Sequence, residues 1–230
     1  MSSHVSKKNN KLIWIILFFI IFILIGSFLM NKKARSGHQM AYAIPVGVKI
    51  DGTILSKPKP VTQFSLESKK YHSFTLENLK GHWTLMFFGF SNCGYVCPTT
   101  LSALSKMTDQ LISQLPASKL PQVVMVSVDP DRDSVSRIQE YVDSYHAGFI
   151  GVRAPMQSLK VLSDQMSVVF NKVASKDGDP KHYMINHSAE IMLIDPNANL
   201  RAFFSFPHTG DQMAKDYMSI VNSVGKRESV

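Results

Sequence analysis

"WTLMFFGFSNCGYVCPTTLSAL", residues 83–104, decides how the chain is read. Its first part, Trp83 to Phe90, is a near-continuous apolar run of strand length, the pattern of a strand buried on both faces. The strand delivers the chain to Cys93. Behind the cysteines, Pro98 suits the first position of a helix, where a missing N–H costs nothing. Leu101, Leu104, Met107, Leu111, Ile112 and Leu115 then recur at helical spacing, which predicts a helix from Pro98 to Leu115. The unit is therefore strand, cysteine loop, helix, with Cys97 at the helix cap.

Working outward, residues 45–73 alternate apolar and polar positions around Gly47, Gly52, Pro58 and Pro60, and read as short strands and turns at a sheet edge. "SFTLENLKGHW" reads as a short helical turn closed by Gly81. Downstream, Gln122 to Val128 is a second buried strand. Ser134 or Asp133 can cap a helix carrying Val135, Ile138, Tyr141 and Val142. A third helix is expected from Met156 to Phe170. Residues 189–206 hold two strand-like runs around "DPNAN", a turn-forming stretch, and predict a hairpin. Met213, Tyr217, Ile220, Val221 and Val224 close the chain as an amphipathic helix. The order β-α-β-α-α-β-β-α resembles a thioredoxin-like α/β fold with extra N-terminal strands and a C-terminal β-hairpin.

Cys93 and Cys97 are the only cysteines in 230 residues. Two cysteines cannot build a four-thiolate zinc site, and a close pair does little to staple distant segments. A cysteine acts as nucleophile or soft ligand only as thiolate, and a helix N-terminus favours that form. Both sulfurs can face one small volume, so the pair admits a disulfide or a metal ion between two thiolates. Buried cysteines acting as small apolar residues fit poorly, because "SNCGYV" is turn-like and polar.

A third ligand would favour metal. His4 and His38 flank the N-terminal apolar run, and His72, His82 and His146 sit in surface patterns. His182, His187 and His208 remain. His187, in "YMINHSAEIMLID", belongs to the loop feeding the penultimate strand, which in a thioredoxin-like sheet lies beside the cysteine pair. Two thiolates and an imidazole suit copper, Cu(I) above all, while zinc can also use such a set. The methionines fall at core spacings, Met184 being an exception three residues before His187. The acidic turn Asp129 to Ser134 reads as a turn and helix cap, or as a polar wall beside the site.

At the N-terminus, Leu12 to Met30 is 19 apolar or small residues without a charge, long enough to span a bilayer. It is longer than the apolar core of a cleavable signal peptide and runs straight on into "NKKARSG", so it reads as an uncleaved anchor. The expected organisation is residues 1–11 as a short cytoplasmic segment, 12–30 as a transmembrane helix, 31–44 as a stalk and 45–230 as one domain. The basic flanks, Lys7, Lys8 and Lys11 against Lys32, Lys33 and Arg35, are balanced and do not orient the span. Six of the 25 Lys and Arg lie in residues 1–35, leaving the remainder at only +2. A nearly neutral domain argues against nucleic acid as a partner.

Taken together, "FTLENLKGHWTLMFFGFSNCGYVCPTTLSAL", "VSVDPDRDS", "GFIGVRA", "FNKV" and "NHSAEIMLIDPNANLRAFF" resemble the Sco/SenC family, membrane-anchored copper proteins needed for cytochrome c oxidase assembly. The resemblance runs from about Val61 to Val224. It implies a thioredoxin-like fold with Cys93, Cys97 and His187 as copper ligands. It also implies a chaperone serving the CuA-type site of the oxidase's copper-bearing subunit, with a copper donor and a thiol reductant as further partners. Such a protein binds and transfers rather than turning over substrate. The domain would lie in the periplasm of a bacterial inner membrane, because eleven residues without arginine cannot form a mitochondrial presequence. The family commonly reads Cys-Pro-Asp-x-Cys-Pro, whereas Gly94, Tyr95 and Val96 stand here. Loss of that acidic neighbour disfavours the higher copper oxidation state.

The competing reading is a thiol–disulfide reductase that uses Cys93 and Cys97 to keep target cysteines reduced. A thiol peroxidase of this fold needs a Thr shortly before the reactive cysteine and an activating Arg, where "FGFSNC" offers Ser91 and no local Arg. A thioredoxin needs a proline just before the penultimate strand, where this chain has Asn186, His187 and Ser188.

Overall fold

The run that opened the sequence reading forms β4, Thr84–Gly89, the centre of a mixed sheet. The computed structural model describes residues 14–21, 50–175, 179 and 182–225. Strands β1 (Thr53–Pro60), β2 (Ser65–Ser68) and β3 (Phe74–Thr75) precede β4. β5 (Gln122–Ser127), β6 (Ile150–Arg153), β7 (Phe170–Ala174), β8 (Tyr183–His187), β9 (Ile191–Ile194) and β10 (Asn199–Phe204) follow. The large sheet has the order β1-β10-β9-β4-β5-β6-β2-β3, and β7 pairs with β8 apart from it. β4, β5 and β6 are parallel, while β9 runs antiparallel beside β4 and β10 antiparallel to β9.

Every residue of β4 is buried because both faces of the sheet are covered. Leu85 and Phe87 face a core shared with helix α1 (Val96–Ile112), helix α2 (Val135–Asp143) and helix α4 (Gly210–Gly225), through Leu101, Leu104, Ile138 and Tyr217. Met86 and Phe88 face the opposite core with Leu66, Phe74 and two leucines of helix α3 (Met156–Gln165), Leu159 and Leu162. A strand's side chains alternate between faces, so an unbroken apolar run is the sequence of a strand sandwiched between layers.

The expected N-terminal strands, the two central strands and the C-terminal hairpin are present. Ser134 caps α2 as expected, accepting the Arg137 N–H at 3.1 Å. The hairpin turn is fixed by Asp195, whose Oδ1 accepts the N–H groups of Asn197 and Asn199 at 2.9 and 2.8 Å. The turn "LEN" is a short 3-10 helix, Leu76–Asn78, and Gly81 beyond it has φ +79°, a conformation that favours glycine.

Several expectations are corrected. α1 begins at Val96 and ends at Ile112, placing Cys97 inside its first turn rather than at the cap. Proline is tolerated throughout that turn, since the first N–H groups have no intrahelical partner, so Pro98 does not mark the start. α3 ends at Gln165, not Phe170. Ser167 adopts φ +58° and the Val168 N–H returns to the Ser163 carbonyl at 2.9 Å, a Schellman closure made by serine instead of glycine. The following residues form β7, and β6 is a further strand absent from the expected order.

Of the expected anchor at residues 12–30, only 14–21 are described, and they are helical and exposed. No helix among the described residues is long and apolar enough to cross a membrane. The expected segments 1–11 and 31–44 lie outside the described residues.

Candidate metal centre

Cys93, Cys97 and His187 converge: their ligating atoms all lie within 4.8 Å of one another. Cys97 is held by α1 and is 1 % exposed, whereas Cys93 sits half-buried in the loop above it, and both thiols are free. His187 ends β8, a strand the sequence did not mark, rather than lying in the loop that feeds the penultimate strand as expected. Its Nε2 is 3.6 Å from Cys97 Sγ, although ninety residues separate the two in sequence.

The cysteine geometry begins with the helix. The N–H of Cys97 is one of the orphan donors at the start of α1, and it donates to Cys93 Sγ at 3.4 Å. Cys93 sulfur thus caps the helix, where partial positive charge favours a thiolate. The Cys97 thiol beside it, with help from His187 and the backbone N–H groups, outweighs burial and brings the Cys93 pKa down to about 3. Cys97 is pushed the other way, by the same contact with Cys93 and by burial. The pair is therefore biased toward a thiolate at Cys93 and a protonated thiol at Cys97.

Burial opposes a charge on His187, but its bond to Cys93, its bond to the Ser188 carbonyl and the nearby negative charges together raise its pKa. Nδ1 lies 2.8 Å from that carbonyl and donates to it, which leaves Nε2 as the atom turned toward the sulfurs. That division of the ring nitrogens is how ligating histidines are held. A soft cation would displace the protons from Nε2 and from Cys97 on entering. The set is two sulfurs and one nitrogen, with Cys93 the more exposed of the sulfurs, and its chemistry suits Cu(I) while allowing a disulfide when the ion is absent.

Supporting residues lock both halves. A side chain at position 89 would strike the Cys97 sulfur: a Cβ there would lie 2.7 Å from Sγ. Asp133, buried, accepts from Ser91 N at 3.1 Å, Ser91 Oγ at 2.5 Å and Ser127 Oγ at 2.6 Å. Arg137 adds bonds to Ser91 Oγ at 2.8 Å and Asn92 Oδ1 at 2.7 Å. The acidic turn thus ties down the cysteine loop, and the Asp133 charge also acts on the Cys97 thiol.

On the His187 side, Asp129 accepts Tyr183 Oη at 2.6 Å and pairs with Arg132. The Arg132 guanidinium lies 3.7 Å from the Tyr183 ring centroid and donates to the Tyr183 carbonyl at 3.0 Å. The β7–β8 hairpin is latched to the turn after β5 in this way. Phe90 packs edge-on to the His187 ring at 5.8 Å.

Arg137, Tyr183 and Gly89 were not singled out by sequence reasoning. Gly89 alone left a signal, a glycine ending a buried strand just before the cysteine loop. His208 is buried and donates from Nε2 to the Ala189 carbonyl at 3.0 Å, outside the ligand set. His72 and His82 are exposed as expected, and Met184 is also exposed. His146 is instead half-buried against Phe149, with 4.9 Å between ring centroids.

Comparison with known proteins follows the same residues. The SCO1/SenC family model matches residues 53–222. A Stutzerimonas stutzeri protein named for copper binding is 34% identical over 156 residues, covering 67% of this chain and 73% of its own. The crystal structure of Arabidopsis thaliana ScoI with copper bound is 28% identical with a TM-score of 0.63, covering 72% of this chain and 98% of that one. Bradyrhizobium japonicum ScoI with copper bound is likewise 28% identical, with a TM-score of 0.60 over 69% of this chain and 98% of that one. With a family match across most of its length and a Cys-Cys-His cluster built by the fold, this chain belongs to the SCO1/SenC family.

Proposed function

We propose that this protein is a copper chaperone that carries Cu(I) on Cys93, Cys97 and His187 and delivers it to the copper-bearing subunit of cytochrome c oxidase. The observation that carries the reading is the convergence of the three ligand atoms within 4.8 Å, with Nδ1 of His187 already engaged by Ser188. The ion is cargo, and Cys93, the more exposed sulfur, is where it enters and leaves. Transfer to an extracytoplasmic copper site calls for a periplasmic domain, held at a bacterial inner membrane by residues 12–30. The copper-bound relatives and the apolar N-terminal run support that reading.

A second activity rests on the unequal thiols. Cys93 thiolate would attack a disulfide on a target protein, forming a mixed disulfide and expelling one target thiolate. Cys97 would then lose its proton and attack Cys93 sulfur, releasing the second target thiolate. The target gains two electrons and Cys93–Cys97 becomes the disulfide, to be reduced by an external thiol.

His187→Ala separates the two activities. Cu(I) affinity, measured by competition with a chromophoric chelator, should fall at least about tenfold, while the rate of reducing a disulfide peptide is retained. Unchanged copper affinity would sink the chaperone reading. Protease accessibility of the domain in spheroplasts tests its location, and protection from added protease would contradict a periplasmic site.

A further inference from the structure

Three rings outside the ligand set connect the cysteine loop to the loop after His187. Tyr95, between the two cysteines, is 68 % exposed and meets Phe206 edge-on with ring centroids 6.3 Å apart. Phe206 in turn meets His208 at 5.7 Å with the planes at 89°. His208 is 7 % exposed and its Nε2 donates to the Ala189 carbonyl at 3.0 Å. Among the described residues its Nδ1 has no partner, so that single bond to Ala189 is what orients the buried ring.

Ala189 matters because of its neighbour. The Ser188 carbonyl, one residue earlier, is the group that turns the His187 ring. Ser188 is pinned on one side by Val169, whose carbonyl accepts the Ser188 N–H at 2.9 Å and whose N–H reaches Ser188 Oγ at 3.1 Å. His208 pins the next carbonyl from the other side. At the far end, the Tyr95 carbonyl accepts both the N–H and Oγ–H of Thr99, at 3.2 and 2.8 Å, which fixes the loop to α1.

We propose that Tyr95, Phe206 and His208 form a brace that sets the distance and angle between the cysteine pair and His187, with His208 as the positioning residue. The proposal rests on the copper reading above. Without the brace the loop at residues 188–190 can rotate, and the Ser188 carbonyl then no longer aims Nε2 at the sulfurs. Metal affinity falls although every ligand is still present. Tyr95 occupies the position where the family commonly has an acidic residue, so the brace puts an aromatic contact in place of a charge.

The test is a double-mutant cycle in the full-length protein, read by Cu(I) competition with a chromophoric chelator. His208→Ala should weaken Cu(I) binding by about tenfold or more, and His208→Gln, whose amide N–H can reach the Ala189 carbonyl, should recover most of it. Tyr95→Leu and Phe206→Leu should each weaken binding by roughly threefold. In a His187→Ala background, His208→Ala should cost nothing further. Electron paramagnetic resonance of the Cu(II)-loaded protein should show reduced imidazole-nitrogen coupling in His208→Ala.

Equal losses from His208→Ala with and without His187 would overturn the brace and leave a general stability effect. Unchanged affinity in His208→Ala, beside a loss in His187→Ala, would overturn the brace alone. If His187→Ala itself binds copper normally, the brace and the copper reading both fail. Should His208→Ala not fold, the Phe206→Leu and Tyr95→Leu variants carry the same cycle.

Discussion

Gly89 stands directly against Cys97: a Cβ at position 89 would lie 2.7 Å from the Cys97 sulfur and 2.9 Å from Met125 Cε. The end of the central strand is therefore shaped around the Cys97 sulfur. Gly89→Ala should displace the buried sulfur, lower stability by about 1–3 kcal/mol and weaken Cu(I) binding. A thermal melt and a chelator competition measure the two effects. Unaltered copper affinity would show that the sulfur has room to move.

Cys93 carries a pKa lowered to about 3, chiefly by the Cys97 thiol beside it. A depressed pKa keeps the thiolate as pH falls. Alkylation of Cys93 by iodoacetamide in the metal-free protein should therefore stay nearly level from pH 8 to pH 5 and decline only as pH approaches 3. Cys97, buried and protonated, should remain unmodified. The urea-unfolded protein should instead lose about tenfold in rate per pH unit below roughly 8.5. A folded-state profile matching the unfolded one would refute the thiolate assignment.

Tyr183→Phe removes the donor to Asp129 and Arg132→Ala removes the cation packed on Tyr183. Each should loosen the β7–β8 hairpin that carries His187. Hydrogen exchange at the Met184 and Asn186 amides, which face β7 in the ladder, should accelerate, with a stability loss of about 1 kcal/mol for the tyrosine hydroxyl. Exchange confined to the unmutated rate in both variants would mean that strand pairing alone holds the hairpin.

Asp133→Ala leaves three donors, Ser91 N, Ser91 Oγ and Ser127 Oγ, without their acceptor. Because the carboxylate is buried, the expected destabilisation is about 1–3 kcal/mol. The cysteine loop should also become more mobile, seen as faster Cys93–Cys97 disulfide formation under a mild oxidant. A slower rate would show that the tie brings the sulfurs together instead of holding them apart.

Much of the fold was legible because its strongest signals are local. Trp83 to Phe90 reads as a doubly covered strand, and the "DPNAN" turn with its flanking runs reads as a hairpin. Ser134 is a cap by its side-chain chemistry. The errors fall where local signals mislead or vanish. Ser167 closes α3 in a left-handed conformation that glycine would have advertised. β7 is nearly all exposed and carries Asn171 and Lys172, so no apolar alternation marks it. Pro98 suggested a helix start two residues too late, because the whole first turn tolerates it.

The sequence by itself determined the strand, cysteine loop and helix unit, the covering of β4 on both faces, and the chemical type of the three candidate ligands. It also carries the apolar run at residues 12–30. Only the tertiary structure decided that His187 reaches Cys97 across ninety residues, that Arg132 and Arg137 tie the two halves, and that His208 lies one carbonyl away from the group that orients His187. The physical reason is range. Hydrophobic periodicity and capping act over a few residues along the chain. The meeting of β8 with the start of α1 follows from how separate elements bury their apolar faces against one another, and no local pattern records that.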